Sequence, residues 1–285
     1  MPYTFHLLNV FTRDAARLSG NPLCVVENAV GLESEAMQAL ARQFNLSETT
    51  FVLPSARATA RVRIFTPDYE MPFAGHPTLG TAHIVRRLGA GSNRLTLEMQ
   101  AGIIAVVAQG NMWTLSANPA AHREINMTRG ALAAVLGLNA GEIIWERPGP
   151  RPLWVDSGSD QLIVPLASPD AVERASPSAN FSDTLRNAQG QCMAYVFAQA
   201  GDGLVMSRFF FQADNSFRED PATGSACANL GGWYLATGTA PPLSRRIHQG
   251  DQVKRPSTLF LHIDAAGHTS VAGEVAHLGT GSINL

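Results

Sequence analysis

Residues 70–88 read Glu-Met-Pro-Phe-Ala-Gly-His-Pro-Thr-Leu-Gly-Thr-Ala-His-Ile-Val-Arg-Arg-Leu, and the fold is predicted outward from this stretch. The alternating run Arg-Val-Arg-Ile-Phe at 61–65 precedes it and predicts a strand. Beyond it, the residues at helical spacing are Leu79, Ala82, His83 and Arg86. Pro77 suits the first turn of such a helix. Gly75 and His76 are therefore predicted to stand where a strand passes into a helix.

A helix start of this kind favours the binding of a small anion. The first N–H groups of a helix have no intrahelical partner, and glycine lets a ligand approach the backbone closely. The positive end of the helix dipole attracts negative charge. A histidine beside it adds a group that gains or loses a proton near neutral pH. Gly75 and His76 are therefore candidate ligand-contacting residues.

A second stretch, residues 207–235, resembles the first. Alignment of Gly224 with Gly75 places Ser225 against His76, and both stretches have an arginine and an aromatic residue upstream. The alternative is two tight strand–helix turns in which glycine serves the backbone alone, and for a single copy that alternative is favoured. Two copies, each with an ionisable or hydroxyl side chain at the helix start, favour a functional site.

Short motifs along nearly the whole chain resemble the PhzF-like family, named for an isomerase of phenazine biosynthesis. The motifs, in family order, are Gly20-Asn21-Pro22, Asn45-Leu46-Ser47-Glu48-Thr49, Ala74-Gly75-His76-Pro77-Thr78-Leu79-Gly80, Glu219-Asp220-Pro221-Ala222-Thr223-Gly224-Ser225-Ala226, Gln249-Gly250 and Arg255-Pro256-Ser257. The resemblance implies an α+β fold of the diaminopimelate-epimerase type. In that fold two pseudo-symmetric halves each wrap a curved, barrel-like sheet around a central helix, and the site lies in the cleft between them.

The expected halves are residues 1–118 and 119–277, and the last strand, within 278–285, is expected to return to the first half. An internal duplication supports this division. The matching segments are Gly20 to Val25 with Ser159 to Val164, and Glu98 to Gly102 with Ile247 to Gly250. Small residues in the two motif helices permit close packing inside a curved sheet. The helices from Pro77 and Ser225 are therefore expected to be the most buried.

Glu48 allows two interpretations. From the residues alone, a polar side chain at a strand edge is favoured. The resemblance reverses this preference, because Glu48 matches the family's catalytic acid/base. The apolar run Phe51-Val52-Leu53 follows it, and desolvation there is expected to raise the pKa of the carboxyl group toward the range useful for proton transfer.

The candidate catalytic residues are Glu48, His76 and Asp220, and the candidate substrate-binding residues are Gly75, Gly224 and Ser225. No dinucleotide fingerprint or phosphate loop accompanies them, and Ser225 lacks the Gly-x-Ser-x-Gly context of many serine hydrolases. The histidines show no metal-ligand spacing. We therefore expect no metal and no cofactor, and proton transfer on a small carboxylate-bearing substrate.

Composition bears on the other function classes. The 285 residues have a net charge of −2 and no basic block, so neither nucleic acid nor an anionic membrane is an expected partner. No apolar run approaches membrane-spanning length, and the sequence begins without a signal-peptide pattern. Cys24, Cys192 and Cys227 have no C-x-x-C spacing and indicate reduced thiols. A cytoplasmic protein is expected, and the resemblance implies a homodimer.

The sequence and the family resemblance together predict a cofactor-independent isomerase in which Glu48 moves a proton within a small carboxylate-bearing substrate, such as a cyclic amino or hydroxy acid. One alternative is a racemase or epimerase of the same fold. Such enzymes use two facing cysteines, and the matching positions here are Ala74 and Pro221. Another alternative is a non-catalytic protein that binds a small ligand or a partner. The sequence does not identify the substrate, the direction of reaction or whether the cleft closes.

Overall fold

The computed structural model describes residues 2–89, 92–178, 181–213 and 216–285. The chain divides into two compact units. The first unit comprises Met1–Ser116 with Ala272–Leu285, and the second comprises Ala117–Val271. The borders expected from the sequence, after residue 118 and before residue 278, lie a few residues from these.

The first unit is built from two helices and nine strands in the described part of the chain. The helices are α1 (Ser34–Phe44) and α2 (Gly75–Arg87). The strands are β1 (Pro2–Val10), β2 (Asn21–Val26), β3 (Glu48–Leu53), β4 (Ala60–Phe65), β5 (Glu70–Met71), β6 (Arg94–Met99), β7 (Gly102–Gln109), β8 (Met112–Ser116) and the part of β17 (Thr269–Asn284) that lies in this unit.

These strands form a closed barrel around α2. The order of hydrogen-bonded neighbours is β1, β2, β3, β4, β6, β7, β8 and β17, which returns to β1. The pairs β2–β3 and β4–β6 are parallel, so each needs a crossover, and these are supplied by α1 and α2. The residues of α2 from Gly75 to Val85 are all buried. A helix with no exposed face over three turns must lie inside its sheet, as the small-residue pattern predicted.

The helix α2 begins at Gly75 and not at the predicted Pro77. Pro77 is the third helical residue, where a missing N–H removes no intrahelical bond, so the earlier start costs nothing. Gly80 lies where the helix meets the sheet. A Cβ atom at Gly80 would stand 2.4 Å from Leu23 Cδ2 and 2.9 Å from Val10 Cγ2. Only glycine allows this approach.

We expect Gly80→Ala to lower the free energy of unfolding by about 1–3 kcal/mol, the usual effect of overpacking a filled core. Gly130, in another helix of this chain, is the control because a Cβ there would meet nothing within 4 Å. Gly130→Ala should be neutral or stabilising by up to about 1 kcal/mol, since alanine favours helix more than glycine does. Urea denaturation measures both changes. Equal stability of the two variants would contradict the packing argument.

The second unit repeats this plan. Its helices are α3 (Arg129–Val135), α4 (Pro169–Arg174), α5 (Phe181–Thr184) and α6 (Gly224–Ala236). Its strands are β9 (Ala121–Glu124), β10 (Leu153–Asp156), β11 (Asp160–Pro165), β12 (Met193–Gln199), β13 (Leu204–Ala213), β14 (Ser216–Asp220), β15 (Leu243–Gln249), β16 (Ser257–Ile263) and the first residues of β17. The parallel pairs β11–β12 and β13–β15 repeat β2–β3 and β4–β6, and α6 takes the place of α2.

The helix α6 is also buried along most of its length, and it begins at Gly224, one residue before the predicted Ser225. Its glycines stand at close approaches. A Cβ at Gly231 would lie 2.6 Å from Thr269 Cγ2, and one at Gly232 would lie 2.4 Å from Ala120 Cβ. Each unit therefore encloses one glycine-bearing helix, and the predicted pseudo-symmetric α+β fold is confirmed in its internal topology.

The helix α1 follows from the spacing of its apolar residues, and the strand β17 follows from pairing with β1. The apolar spacing of 34–44 predicts an amphipathic helix, and α1 buries Met37, Leu40 and Ala41 against the strands of the first unit. The last strand was predicted within 278–285 but runs over Thr269–Asn284, because pairing with β1 extends it from Val275 to Asn284. Within the described ranges, no helix combines the length and the apolar character that a membrane crossing requires.

Candidate active site

Glu48 and His76 meet inside the first unit. Glu48 is the first residue of β3 and His76 is the second residue of α2. Glu48 Oε2 lies 3.3 Å from His76 Nε2, and the side chains are 14% and 6% exposed. The two atoms are at ion-pair distance but are not aligned as a hydrogen bond. Thr50 of β3 and Thr81 of α2 share a buried 2.7 Å hydrogen bond, which fixes the strand against the helix.

The protonation of the His76 ring follows from its contacts. The ring bonds to the backbone of Pro22, and since proline has no N–H, the partner is the carbonyl oxygen. Nε2 faces Glu48, so Nδ1 donates to that carbonyl. Burial lowers the pKa of His76 to about 3, which keeps the ring neutral at physiological pH. Nε2 is then an acceptor, and only the acid form of Glu48 has a hydrogen to offer it.

The buried histidine predicts a loss of stability in acid. Below its ordinary pKa of 6.5, His76 in the unfolded chain takes up a proton, whereas the folded chain does not until about pH 3. The free energy of unfolding should therefore fall by about 1.4 kcal/mol per pH unit across that window on account of this residue. His76→Asn should remove that part of the slope in urea titrations between pH 7 and 4. The exposed His122 is the control, and His122→Asn should leave the slope unchanged. Identical slopes for all three proteins would refute the assignment.

Asp220 is held by a small network in the second unit. It ends β14, and the Thr223 hydroxyl lies 2.5 Å from Asp220 Oδ2. Gln249 Nε2 donates to the Asp220 carbonyl at 2.8 Å and to Thr223 Oγ1 at 3.0 Å. Because Thr223 Oγ1 accepts from Gln249, its own hydrogen points to the Asp220 carboxylate and orients that group. Gly250 directly follows Gln249 and has φ +85°, and a Cβ there would stand 2.5 Å from the Pro221 carbonyl oxygen.

Both motif glycines open their helices with N–H groups that precede the first intrahelical bond. In α2 that bond runs from Thr78 N to Ala74 O, and in α6 it runs from Cys227 N to Thr223 O. The N–H groups of Gly75 and His76, and those of Gly224 and Ser225, lie ahead of these bonds. Ser225 also receives a hydrogen bond from Gln161 Nε2 at 2.9 Å. These features suit acceptor groups of a ligand.

The structure brings Glu48 to His76, and it places Asp220, Gly224 and Ser225 together around the start of α6. The grouping of Glu48, His76 and Asp220 around one substrate stays a prediction. His83 is separate from this pair, since its Nδ1 accepts from Trp113 Nε1 at 3.3 Å and burial lowers its pKa to about 4.

The cysteines do not support a thiol-pair racemase. Cys24, Cys192 and Cys227 are all buried. Burial raises the pKa of Cys24 to about 12 and that of Cys227 further, so both thiols stay protonated at neutral pH. A thiol acts as a base only as the thiolate. The residues at the racemase positions remain Ala74 and Pro221, neither of which carries an ionisable group.

Sequence reasoning missed the side chains that support these residues. Gln161 and Asn229 were not singled out, and Thr223 and Gln249 were noted only as parts of motifs. The one available signal was the internal duplication, in which Gln161 aligns with Pro22. In the structure Pro22 contacts His76 and Gln161 contacts Ser225. Both His76 and Ser225 directly follow the glycine that opens their helix.

Comparison with known proteins bears on the family of this chain. The family model described as phenazine biosynthesis-like protein, PhzC-PhzF, matches residues 8–281. A trans-2,3-dihydro-3-hydroxyanthranilate isomerase from Pseudomonas aeruginosa is 36% identical over 271 residues, covering 92% of this chain and 91% of that protein.

Solved structures agree on the fold. A phenazine biosynthesis protein of the PhzF family from Bacillus anthracis matches with a TM-score of 0.86 at 24% identity, over 100% of both chains. A hydroxyproline epimerase from Agrobacterium vitis matches with a TM-score of 0.66 at 13% identity, over 99% of this chain and 92% of that one. At these identities the likeness shows the fold alone, and it confirms the predicted epimerase-like architecture. The matches over nearly the whole length show that the chain belongs to the phenazine biosynthesis-like PhzC-PhzF family and is an isomerase.

Proposed function

We propose that this isomerase moves a proton within a small carboxylate-bearing substrate, with Glu48 as the acid/base and without a cofactor. The observation that carries the proposal is the approach of Glu48 Oε2 to His76 Nε2 at 3.3 Å in a nearly buried setting. The Pseudomonas aeruginosa relative is named for a dihydro-hydroxyanthranilate, which is a cyclic amino acid with a carboxylate. A cyclic amino or hydroxy acid is accordingly the substrate class we assign.

The reaction needs one group that removes a proton and returns it. Glu48 takes a proton from one substrate carbon, and the electron pair of the broken C–H bond moves into the adjacent unsaturated system. The same carboxyl group then protonates a second carbon, so the composition of the substrate does not change. While Glu48 carries the proton, a turn of the carboxyl group aims its O–H at the neutral Nε2 of His76, an acceptor 3.3 Å away that then stabilises the acid form.

The remaining candidate residues bind and orient. The N–H groups at Gly75 and Gly224, with the Ser225 hydroxyl, donate hydrogen bonds to the substrate carboxylate. Asp220, oriented by Thr223 at 2.5 Å, serves a polar group of the substrate. A fixed orientation lowers the activation barrier because the reacting atoms no longer have to be brought together at random.

The assembly and the compartment are part of this proposal. The family resemblance suggests a homodimer in the cytoplasm that acts without nucleic acid or membrane. Sedimentation of the purified chain tests the first point, and a single species at the mass of one 30.5 kDa chain would contradict it.

Proton–deuterium exchange tests the chemistry. A panel of cyclic amino and hydroxy carboxylates is incubated with the enzyme in heavy water, and label entering carbon positions is followed by mass spectrometry and NMR. An acid/base isomerase washes label into its substrate, whereas a protein that only binds ligand does not. Ligands for the panel are chosen by thermal stabilisation, which reports binding without requiring turnover.

A further inference from the structure

A buried polar network lies behind Ser225 in the second unit. Gln161 on β11 is 2% exposed and Asn229 on α6 is 0% exposed, yet both carry amide side chains. Gln161 Nε2 bonds to Ser225 Oγ at 2.9 Å, and Gln161 Oε1 bonds to Asn229 Nδ2 at 2.9 Å. Burying an amide costs free energy unless its polar atoms are hydrogen-bonded, so each hydrogen bond in this network should have a defined direction.

Backbone atoms at one end settle which way every hydrogen bond points. The backbone N–H of Ser157 donates to Asn229 Oδ1 at 2.9 Å, so the other amide atom of Asn229 is nitrogen. That nitrogen donates to the carbonyl oxygen of Ser159 at 2.8 Å, which is an acceptor only. Asn229 Nδ2 therefore also donates to Gln161, whose facing atom is oxygen. Gln161 Nε2 in turn is a donor to Ser225 Oγ.

These hydrogen-bond directions determine what the Ser225 hydroxyl can do. Its oxygen accepts from Gln161, so its single hydrogen must point elsewhere. Among the described residues, no acceptor for that hydrogen is found in the protein, and Ser225 is partly exposed at the start of α6. The hydroxyl thus offers a donor to whatever ligand lies there.

The duplicated unit shows that the helix can be packed without such a network. In the alignment of the two motifs, Asn229 corresponds to Gly80 and Gln161 corresponds to Pro22. Gly80 packs against the apolar side chains of Leu23 and Val10. Enclosing this helix in its barrel therefore does not require buried amides, and the network at Ser225 is an addition of the second unit.

We infer that Gln161 and Asn229 are positioning residues that hold the Ser225 hydroxyl as a hydrogen-bond donor, so that the site selects a carboxylate over a carboxamide. Either oxygen of a carboxylate accepts the hydrogen of the Ser225 hydroxyl, whereas the NH2 group of a carboxamide in the same place would bring a donor against that donor. The inference rests on the proposed function in taking Ser225 as a residue that contacts substrate.

The test uses two probes that differ only in this group, anthranilate and anthranilamide. Calorimetry or NMR titration with the full chain measures the dissociation constant of each. Wild type should bind the carboxylate roughly ten- to a hundredfold more tightly, as expected for a hydrogen bond to a charged group. Equal binding of the two probes, or binding of neither, would overturn the inference.

Gln161→Glu reverses the direction at Ser225. The glutamate still accepts from Asn229, but when ionised it cannot donate, so the hydroxyl turns inward. Carboxylate preference should fall at least tenfold. The added charge also repels a carboxylate directly, and the pair Ser225→Ala and Ser225→Ala/Gln161→Glu measures that part. A larger effect of Gln161→Glu in the Ser225 background supports the inference, and equal effects in both backgrounds refute it.

Asn229→Ala is the second variant, should Gln161→Glu fail to fold. Without Asn229, the Gln161 amide can turn its oxygen to Ser225, so the preference should drop several-fold with Ser225 present and stay constant with Ser225→Ala. A drop in both backgrounds, accompanied only by lower stability, would show a structural role. Because binding is measured without turnover, failure here leaves the exchange reaction of Glu48 untouched, and failed exchange leaves this result standing.

Discussion

Glu48→Gln is expected to reduce proton–deuterium exchange by about a thousandfold or more while ligand binding persists. Glutamine keeps the shape of the side chain at the start of β3, but its amide neither takes nor returns a proton at accessible pH. A positioned acid or base contributes typically about 10²–10⁴-fold to the rate, and here one group serves in both steps. The exchange rate at saturating substrate and the dissociation constant from thermal stabilisation give the two quantities separately.

Glu98→Gln is the matched control for this variant. Glu98 also lies on a strand of the first unit, and its side chain is 23% exposed, yet its partners are Ser55 and Arg57. Its loss of charge should leave exchange within about twofold of wild type, because it lies outside the candidate site. If Glu48→Gln exchanged as fast as Glu98→Gln, another base would have to carry the proton.

The parts of the fold that were predictable are those with a local signal. The Gly-His and Gly-Ser motifs mark the starts of α2 and α6, because strand, turn and small-residue helix follow one another within about twenty residues. The start positions were wrong by one or two residues, since proline and serine favour a first turn without fixing its first residue. The length of β17 was missed because its Gly, Thr and Ser residues carry little pattern, and pairing with β1 decides it.

The site was predictable only where a motif residue itself carries the chemistry. Glu48 and His76 lie in separate motifs, and their approach within 3.3 Å depends on how β3 and α2 pack. Asn229 gave no signal and Gln161 only its alignment with Pro22, because an amide in a strand or helix is common and its role depends on distant partners.

Asp220→Asn is expected to reduce turnover roughly a hundredfold or more with little change in stability. Asparagine can keep the hydrogen bond from Thr223 through its carbonyl oxygen, and Gln249 bonds the backbone of residue 220, so the local structure should survive. The variant removes the negative charge and replaces one carboxylate oxygen by an NH2 group. Exchange kinetics give the loss, and urea denaturation checks the fold.

Asp264→Asn, in an exposed hairpin where the carboxylate accepts from the His268 backbone, should leave turnover unchanged. Thr223→Val keeps the charge of Asp220 and removes its orientation, so its loss should be smaller than that of Asp220→Asn. Full turnover in Asp220→Asn would remove Asp220 from the catalytic residues and leave Glu48 with His76 as the sole acid/base pair.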